Sequence, residues 1–186
     1  MFELIARVVS FFIPNKTYRK EIRRIISYLP YIYRIKKTAQ KVGRNLYVGG
    51  PSFVNENTIL GDNVGFSGVS VNGKGRLVIG DNFRSGSELL FLTQNHNYEN
   101  SEKLPYDDTY IYKETIVGNC VWAGARVTIL PGTKIGDGVV IQAGSVVHGT
   151  IPPYAIIGGN PARIIKYRDI DHFNKLAKEK CYNYNP

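Results

Sequence analysis

A six-residue repeat is the feature of this sequence that most restricts its fold. Over residues 117–152, six consecutive hexads each begin with an aliphatic residue and carry a small or β-branched residue four positions later. The first positions are Val117, Ala123, Ile129, Ile135, Ile141 and Val147, and the fifth positions are Val121, Val127, Thr133, Val139, Ser145 and Ile151. Because an α-helix repeats every 3.6 residues, it cannot generate this spacing. The pattern therefore favours a β-solenoid and excludes helical repeats.

The hexad predicts a three-sided solenoid that forms a single domain. Six residues make one short strand and a turn, and three such strands close one coil of a parallel β-helix. Coils stacked about 4.8 Å apart would place the aliphatic residues of one coil on those of the next. A rougher form of the pattern recurs at Val48, Leu60 and Ile79. We therefore expect one mainly β domain over residues 45–168.

The hexad is interrupted once, over residues 92–116. This segment is polar, contains Pro105 and includes His96, but it lacks the six-residue pattern. Loops that leave a rigid scaffold often carry function, although an ordinary surface insertion has the same composition. We predict that the segment is a loop extruded from the solenoid.

The segments outside the solenoid are predicted to be helical. In residues 1–44, apolar residues at helical spacing predict two short helices that are interrupted at Pro30. In residues 169–186, a second apolar stripe predicts a short C-terminal helix followed by a tail. A solenoid exposes its end coils, so caps of this kind are expected at both ends.

The net positive charge of the chain comes from its N-terminal segment. Residues 1–44 hold eleven basic and two acidic residues, which accounts for the whole formal net charge of +9. This excess indicates an anionic partner, and its alternation with Ile, Phe and Tyr fits peripheral contact with an anionic membrane surface. Helices that only cap the first coil and keep their charges in water are the alternative. No nucleic-acid-binding motif accompanies the charge, so nucleic acid is not expected as a partner.

The sequence predicts a cytoplasmic protein that rests at most on the inner face of the membrane. The apolar start lacks a small-residue cleavage site, so no signal peptide is expected. No apolar run approaches the roughly 20 residues needed to span a bilayer. Cys120 and Cys181 lie in unlike contexts, which indicates free thiols in a reducing compartment.

Several short motifs resemble those of the hexapeptide-repeat, left-handed β-helix acyltransferases. They are Asn95-His96 in the loop, Trp122-Ala-Gly-Ala125, Ile135-Gly-Asp-Gly138, Ala143-Gly-Ser145 and Gly159-Asn-Pro-Ala162. The resemblance covers about residues 46–168 and is to the maltose/galactoside and polysaccharide O-acetyltransferase branch. It implies a left-handed parallel β-helix, a homotrimer with its sites at the subunit boundaries, and acetyl-CoA as the acetyl donor. The implied acceptor is a sugar hydroxyl of a surface polysaccharide, a lipopolysaccharide or a glycolipid precursor.

His96 matches the position of the family's catalytic histidine. Transfer of acetyl to an alcohol needs a general base, because a hydroxyl group near neutral pH is a poor nucleophile, and imidazole titrates in the required range. The resemblance implies direct transfer in a ternary complex, without an acyl-enzyme. Glu88 and Asn95 are candidates for orienting His96 or the acceptor. Cys120, beside Trp122, is expected to pack rather than to act as a nucleophile.

The resemblance also implies a set of residues that hold acetyl-CoA. Trp122 would line the pantetheine groove, and the backbone N–H of Ala125 would hold the developing oxyanion. Ala143 would offer backbone groups to the pantetheine amides. His148 falls where the family usually has Thr or Ser near the donor.

Arg163 and Lys166 follow the last motif and are spaced three residues apart. On an exposed edge, such cations can reach the diphosphate and the 3′-phosphate of CoA. The three histidines of the chain, His96, His148 and His172, are not spaced to converge on one coil face, so no metal site is expected.

Three other functions stay open at this point. An antibiotic acetyltransferase of the streptogramin or chloramphenicol type would use the same donor, base and trimer. An N-acetyltransferase of a nucleotide-linked amino sugar would act on a different acceptor. A catalytically silent β-helix that serves as an assembly module is the non-enzymatic alternative, and Trp122 together with the loop that holds His96 argues against it.

Overall fold

The structure is a computed structural model that describes residues 16–183. Residues 1–15 and 184–186, which belong to the predicted N-terminal segment and the predicted tail, lie outside the described residues. Between these limits the chain forms one long helix, six stacked β-coils with a hairpin inserted between the third and the fourth, and a short final helix.

The elements follow one another in a simple order. Helix α1 (Lys16–Thr38) precedes coil 1, which contains β1 (Lys41–Val42), β2 (Tyr47–Val48) and β3 (Ser52–Phe53). Coil 2 contains β4 (Thr58–Leu60), β5 (Gly65–Phe66) and β6 (Val69–Asn72), and coil 3 contains β7 (Leu77–Ile79), β8 (Arg84–Ser85) and β9 (Leu89–Leu92). The hairpin consists of β10 (Gln94–His96) and β11 (Tyr110–Tyr112). Coil 4 contains β12 (Thr115–Val117), β13 (Trp122–Ala123) and β14 (Thr128–Ile129), and coil 5 contains β15 (Lys134–Ile135), β16 (Val140–Ile141) and β17 (Val146–Val147). Coil 6 contains β18 (Thr150–Ile151) and β19 (Ala155–Gly159), and it is followed by β20 (Ala162–Tyr167) and helix α2 (Ile170–Lys178).

The coils build a three-sided prism, and each side is a sheet. Sheet A is formed by β1, β4, β7, β12, β15 and β18, and sheet C by β3, β6, β9, β14 and β17, all in parallel. Sheet B is formed by β2, β5, β8, β13, β16 and β19, and β20 adds one antiparallel strand at its end. The predicted fold is confirmed: a mainly β chain with a parallel β-helix, flanking helices and one extruded loop.

The interior of the prism is built from two positions of the hexad. The residues at the first position are at most 3% exposed, and those at the fifth position are at most 9% exposed. Each first-position side chain lies in register with its counterpart in the next coil, as Ile129 does with Phe91 and Val147. Burying one large aliphatic side chain contributes about 1.5–3 kcal/mol. The repeat follows from this packing, because every coil has to fill the same narrow space.

The corner between sheets A and B closes every coil in the same way. Its left-handed backbone position is occupied by Asn45, Asn63, Asn82, Cys120, Gly138 and Tyr154, with φ between 55° and 67°. Asparagine tolerates this conformation better than most residues do. The asparagine side chains also form a ladder of hydrogen bonds between successive coils. Asn45 Nδ2 donates to Asn63 Oδ1 at 2.9 Å, and Asn63 Nδ2 donates to Asn82 Oδ1 at 3.0 Å.

Helix α1 covers the open end of coil 1. Ile35 is fully buried there, and the ring of Phe53 packs against Tyr31 at 5.6 Å and against the Arg34 guanidinium at 5.0 Å. The prediction of two helices interrupted at Pro30 is wrong, since one helix continues through that residue. A proline inside a helix costs about 3 kcal/mol, but the contacts of Tyr31 and Ile35 hold the turns that follow it on the coil.

Helix α2 lies beside sheet B. It begins after Asp169, whose carboxylate caps the helix by accepting from the His172 N–H at 2.9 Å. Phe173 contacts the ring of Tyr154 at 5.1 Å and the guanidinium of Arg168 at 4.9 Å. A groove of about 700 Å³ remains between the helix and sheet B. Neither described helix has the length and apolar character that crossing a bilayer requires.

Candidate active site

The extruded loop leaves the prism at the corner between sheets C and A. It begins after β9 in coil 3 and returns to β12 in coil 4, and within it β10 and β11 pair antiparallel. The pairing places His96 directly opposite Tyr110. The base of the hairpin is tied to the body, because Gln94 Oε1 accepts from the Lys74 N–H at 2.9 Å. The loop therefore contains a regular hairpin that has a defined attachment to the coils.

His96 is held between two tyrosine rings. The centroid of its imidazole lies 3.8 Å from that of the Tyr106 ring, with an interplanar angle of 21°. It lies 4.5 Å from that of the Tyr110 ring, with an angle of 37°. Two rings this close and this nearly parallel to the imidazole cannot share one of its faces, so they cover opposite faces. Nδ1 of His96 is buried and has no hydrogen-bond partner within residues 16–183.

The tip of the hairpin is organised by Asp107. Its carboxylate accepts hydrogen bonds from the Thr109 hydroxyl, from the Glu102 N–H at 3.0 Å and from the Thr109 N–H at 2.9 Å. These donors favour the ionised carboxylate and hold the pKa of Asp107 below its usual value. The turn that carries Tyr106 is thereby tied to the start of the strand that carries Tyr110.

Trp122 lies on the outer surface of sheet B and is 57% exposed. Because side chains alternate along a strand, Trp122 points outward while Ala123 is buried in the core. Its neighbours in the sheet are Arg84 in coil 3 and Val140 in coil 5. Burial lowers the pKa of Arg84, whose guanidinium donates to the carbonyls of Asn63 and Phe83. The indole of Trp122 is thus presented to the groove beside α2.

Ala125 and Ala143 occupy equivalent positions at the corner between sheets B and C. They lie in successive coils, and the Gly144 N–H donates to the Ala125 carbonyl at 2.9 Å. In the described part of the chain, neither the Ala125 N–H nor the Ala143 N–H donates a hydrogen bond.

Glycines in the preceding coil keep these two amides uncovered. A β-carbon on Gly86 would lie 2.5 Å from the Ala125 nitrogen. A β-carbon on Gly124 would lie 2.6 Å from the Ala143 nitrogen. The corner therefore presents two unpaired N–H donors, which fits a ligand that carries carbonyl oxygens at intervals, as acetyl-CoA does along its thioester and pantetheine amides.

Arg163 and Lys166 lie on β20, beyond the last coil. Arg163 is in register with Gly158, and Lys166 with Ile156, across the antiparallel ladder. Both side chains are exposed, and neither forms an ion pair with another described residue. Two cations are therefore available to an anionic group at this end of sheet B.

His96 and His148 lie apart from the predicted site residues described above. His148 is exposed and follows β17 at the corner between sheets C and A, the same corner from which the loop with His96 leaves. Sheet C separates this corner from the one that holds Ala125 and Ala143. The predicted site residues on the side of sheet B are Trp122, Ala125, Ala143, Arg163 and Lys166. One chain thus places five of the six residues predicted to hold the donor on the side of sheet B, but leaves His148 and His96 on another edge.

Within one chain, Glu88 lies away from His96. Glu88 occupies the corner between sheets B and C, where its carboxylate pairs with Arg126 Nε at 3.2 Å. Asn95 adjoins His96 in β10, but alternation along the strand places it on the opposite face of the hairpin. The groups in contact with the imidazole are instead the two stacked tyrosines.

Cys120 packs at the corner between sheets A and B. Burial raises the pKa of its thiol, which disfavours the thiolate that nucleophilic attack requires. This supports the predicted packing role. Across residues 16–183, no three His, Cys, Asp or Glu side chains are grouped as ligands of a metal ion.

Sequence reasoning did not identify Tyr106, Tyr110 or Arg84. The alternation Tyr110-Ile111-Tyr112 is the one available signal, because it is typical of a strand with an aromatic face. Tyr106 and Arg84 have no comparable signal, since their contacts join segments that are distant in the sequence.

Both the sequence and the fold match known proteins. Residues 114–149 match the family described as bacterial transferase hexapeptide (six repeats). The galactoside O-acetyltransferase of Escherichia coli (strain K12) is 32% identical over 140 residues, which covers 75% of this chain and 62% of that protein. A chloramphenicol acetyltransferase of Klebsiella aerogenes is 36% identical over 122 residues, which covers 56% of this chain and 57% of that protein. The provisionally named lipopolysaccharide biosynthesis O-acetyl transferase WbbJ of Escherichia coli (strain K12) is 34% identical over 134 residues, which covers 68% and 65%.

Solved structures share the fold. A galactoside acetyltransferase in complex with coenzyme A aligns with a TM-score of 0.61 at 25% identity, covering 92% of this chain and 83% of that chain. The hexapeptide-repeat acetyltransferase VCA0836 from Vibrio cholerae O1 biovar eltor, complexed with acetyl-CoA, aligns with a TM-score of 0.62 at 20% identity, covering 89% and 86%.

The prism of hexads defines the class of this protein as a parallel β-helix of hexapeptide repeats. The matched repeats and these relatives confirm the predicted resemblance to the hexapeptide-repeat, left-handed β-helix acyltransferases. The chain spans less than two thirds of the length of each of the three curated relatives.

Proposed function

We propose that this protein is an acetyl-CoA-dependent O-acetyltransferase that modifies a sugar hydroxyl of a surface polysaccharide, a lipopolysaccharide or a glycolipid precursor. The observation that carries the proposal is the pair of unpaired amides at Ala125 and Ala143, on the same side of the prism as the exposed ring of Trp122. Relatives named as O-acetyltransferases and neighbours solved with CoA or acetyl-CoA support it.

Acetyl-CoA would bind along sheet B and its corner with sheet C. The exposed indole of Trp122 offers an apolar wall to the pantetheine arm. The N–H groups of Ala125 and Ala143 would donate to the thioester and amide carbonyls. Arg163 and Lys166 would pair with the phosphates, because charge-assisted hydrogen bonds to phosphate oxygens are strong. The donor supplies the activated acetyl group, and the chain supplies its placement.

His96 would act as the general base in a direct transfer. Its imidazole accepts the proton of the acceptor hydroxyl while the hydroxyl oxygen bonds to the acetyl carbonyl carbon. The Ala125 N–H stabilises the negative charge that develops on the carbonyl oxygen. The C–S bond then breaks, and the imidazolium returns the proton to the sulfur of CoA. The products are the acetylated sugar and free CoA, and no acyl-enzyme forms.

The proposed active site requires more than one chain. Sheet C separates His96 from the residues that would hold the donor, so His96 of one subunit has to meet a donor bound on another. We therefore include a homotrimer in the proposal, with three sites at its subunit boundaries. His148, on the same edge as His96, would approach the donor of the neighbouring subunit. Sedimentation equilibrium should give a trimer, and a fully active monomer would contradict this arrangement.

An antibiotic acetyltransferase is the second candidate. It is favoured by the chloramphenicol acetyltransferase relative, which has the higher identity, 36% against 32% for the galactoside enzyme. The galactoside enzyme matches the larger share of this chain, 75% against 56%. An acceptor screen with galactosides, oligosaccharides and chloramphenicol separates the two. Acetylation of chloramphenicol alone would replace the sugar proposal.

Peripheral contact of residues 1–44 with the inner face of an anionic membrane completes the proposal. The described part of this segment, α1, packs its second half on coil 1 and leaves Lys20, Lys36 and Lys37 exposed. A lipid-linked acceptor would be met at such a surface. The full chain should co-sediment with phosphatidylglycerol vesicles in low salt and not with phosphatidylcholine vesicles. Equal recovery with both would leave α1 as a cap only.

The substitution His96→Ala tests the mechanism. Release of CoA from acetyl-CoA in the presence of an acceptor should fall by about 10²- to 10⁴-fold, the usual contribution of a general base. His172→Ala is the matched control, because His172 is exposed on α2 and takes no part in the proposed site. Circular dichroism and sedimentation should show the same fold and assembly in both variants. Full activity of His96→Ala would refute the mechanism.

A further inference from the structure

Among the described residues, the imidazole of His96 is contacted by stacked rings and not by a hydrogen-bond partner. A functional histidine is commonly oriented by a hydrogen bond from one ring nitrogen, which also selects the tautomer. Nδ1 of His96 has no such partner among the residues that the structure describes, although the atom is buried. The ring is instead enclosed by Tyr106 at 3.8 Å and by Tyr110 at 4.5 Å. Stacking is therefore the orienting contact that residues 16–183 supply to this ring.

The stack leaves one part of the imidazole available. Both ring faces are covered by the tyrosines, and Nδ1 is buried. Nε2 is not buried and makes no hydrogen bond within the described chain. A hydroxyl group can thus approach His96 only along the edge that carries Nε2, which is the direction that proton transfer to this nitrogen requires.

The hairpin is built so that both tyrosines reach the histidine. Tyr110 faces His96 because the antiparallel register pairs the two residues. Tyr106 comes from the tip, which the Asp107 carboxylate ties to the start of β11. The two tyrosines thus reach the ring by different routes, one through strand pairing and one through the turn.

We infer that Tyr106 and Tyr110 are positioning residues that hold the imidazole of His96 with Nε2 directed at the acceptor hydroxyl. The inference rests on the proposed function of His96 as the general base. It names what orients this residue, a role that neither Glu88 nor Asn95 fills within one chain. Aromatic stacking does not depend on the phenol hydroxyl, so phenylalanine should serve as well as tyrosine at both positions.

The kinetic test compares Tyr106→Leu with Tyr106→Phe. Loss of one stacked ring should lower kcat about three- to tenfold, the rate equivalent of a typical aromatic pair, and leave the KM for acetyl-CoA unchanged. Tyr106→Phe should stay within about twofold of the parent, because its ring still stacks. Tyr98→Leu is the matched control, since Tyr98 is a 60% exposed tyrosine of the same loop that does not touch His96. Equal losses in the Leu and Phe variants, or full kcat in Tyr106→Leu, would overturn the inference.

A spectroscopic test separates the positioning role from catalysis. The chain has three histidines, so the ring protons of His96 can be assigned by NMR through His96→Ala. Stacking between two tyrosines should shift these protons upfield by ring currents. The shift should be reduced in Tyr106→Leu, kept in Tyr106→Phe and unchanged in Tyr98→Leu. The same His96 shifts in Tyr106→Leu as in the parent would overturn the stack, whereas normal stacking together with full activity of His96→Ala would overturn only the proposed catalytic role.

Discussion

Two corners of the prism differ in how the coils are joined there: the corner between sheets A and B, and the corner between sheets C and A. The first is closed in all six coils, and its polar side chains bond to the next coil. Its backbone forms a second ladder, in which the Asp62 N–H donates to Asp81 Oδ1 at 2.7 Å and the Asp81 N–H donates to Asn119 Oδ1 at 2.8 Å. The second corner opens between coils 3 and 4 into the hairpin that carries His96.

The difference shows where this fold can accommodate chemistry. At the closed corner, the Asn and Asp side chains of the two ladders already bond to a neighbouring coil. At the open corner, Asp107 bonds to groups of the hairpin tip itself, and the hairpin attaches to the coils through Gln94. The face of the hairpin that carries His96, Tyr106 and Tyr110 is therefore not needed to hold the coils together. The two corners should consequently differ in how substitution affects stability and activity.

The largest expected effect is on activity and comes from shortening the open corner. Replacing residues 98–108 by Asn-Gly should give a tight hairpin between Asn97 and Thr109, because the Asn97 N–H already donates to the Thr109 carbonyl at 3.1 Å and two-residue Asn-Gly turns suit such a pair. His96 loses Tyr106 and its fixed direction, so acetyl transfer should fall by about 10²-fold or more. The free energy of unfolding should change by less than about 1 kcal/mol, since loop closure depends weakly on loop length.

Either a large loss of stability or retained activity in this shortened chain would contradict the proposed difference between the two corners. Urea unfolding followed by circular dichroism measures the stability, and CoA release measures the activity. Unfolding of the coils at a much lower urea concentration would show that the hairpin supports the prism. Retained activity would place the catalytic base elsewhere.

The next effect is on stability and belongs to the closed corner. A β-carbon on Gly118 would lie 2.3 Å from Asp137 Oδ1 and 2.8 Å from the Asp137 nitrogen. Asp137 Oδ1 accepts from the Asn119 N–H at 2.6 Å, so Gly118→Ala disturbs the ladder as well as the spacing of the coils. We expect a loss of about 2–4 kcal/mol, from overpacking and a weakened charge-assisted hydrogen bond. The midpoint of urea unfolding measures it.

Gly149→Ala is the matched control at the other corner. Gly149 has φ of +74°, and a β-carbon there would meet no atom within 4 Å. Only backbone strain remains, which costs about 1–2 kcal/mol. A larger loss at Gly149 than at Gly118 would show that the closed corner is not the more constrained of the two.

The β-helix could be predicted from the sequence because the same packing repeats in every coil. Every coil fills the same interior, so the hexad alone identifies inward residues such as Ile141 and Val147. It also places Trp122 outside, because the residue before a buried first position faces solvent. The continuous helix through Pro30 was missed, since local preference is outweighed there by packing on coil 1.

The candidate site could be predicted only in part, because its contacts do not repeat. The loop and His96 are recognisable from the interrupted hexad and the family motif. The stack with Tyr106 and Tyr110 depends on pairing between β10 and β11, which occurs once in the chain. The relation of His96 to Trp122 depends on a second subunit in our proposal, and no pattern within one sequence encodes that distance.

The smallest effect concerns the pH response of the open corner. The Thr109 hydroxyl, with the amides of Glu102 and Thr109, holds the pKa of Asp107 below its usual value, which is about 4 in unfolded chains. The stabilisation of the tip is therefore complete above that value and is lost as the pH falls through the lower pKa of the folded state. The NMR signal of the Thr109 amide should move towards its unfolded position only below about pH 4. Asp107→Asn should abolish this titration, and the exposed Asp108, replaced by Asn, should leave it unchanged. A midpoint of the Thr109 titration above pH 4 would mean that these hydrogen bonds do not stabilise the Asp107 carboxylate. In that case Asp107 would not be what holds Tyr106 against His96.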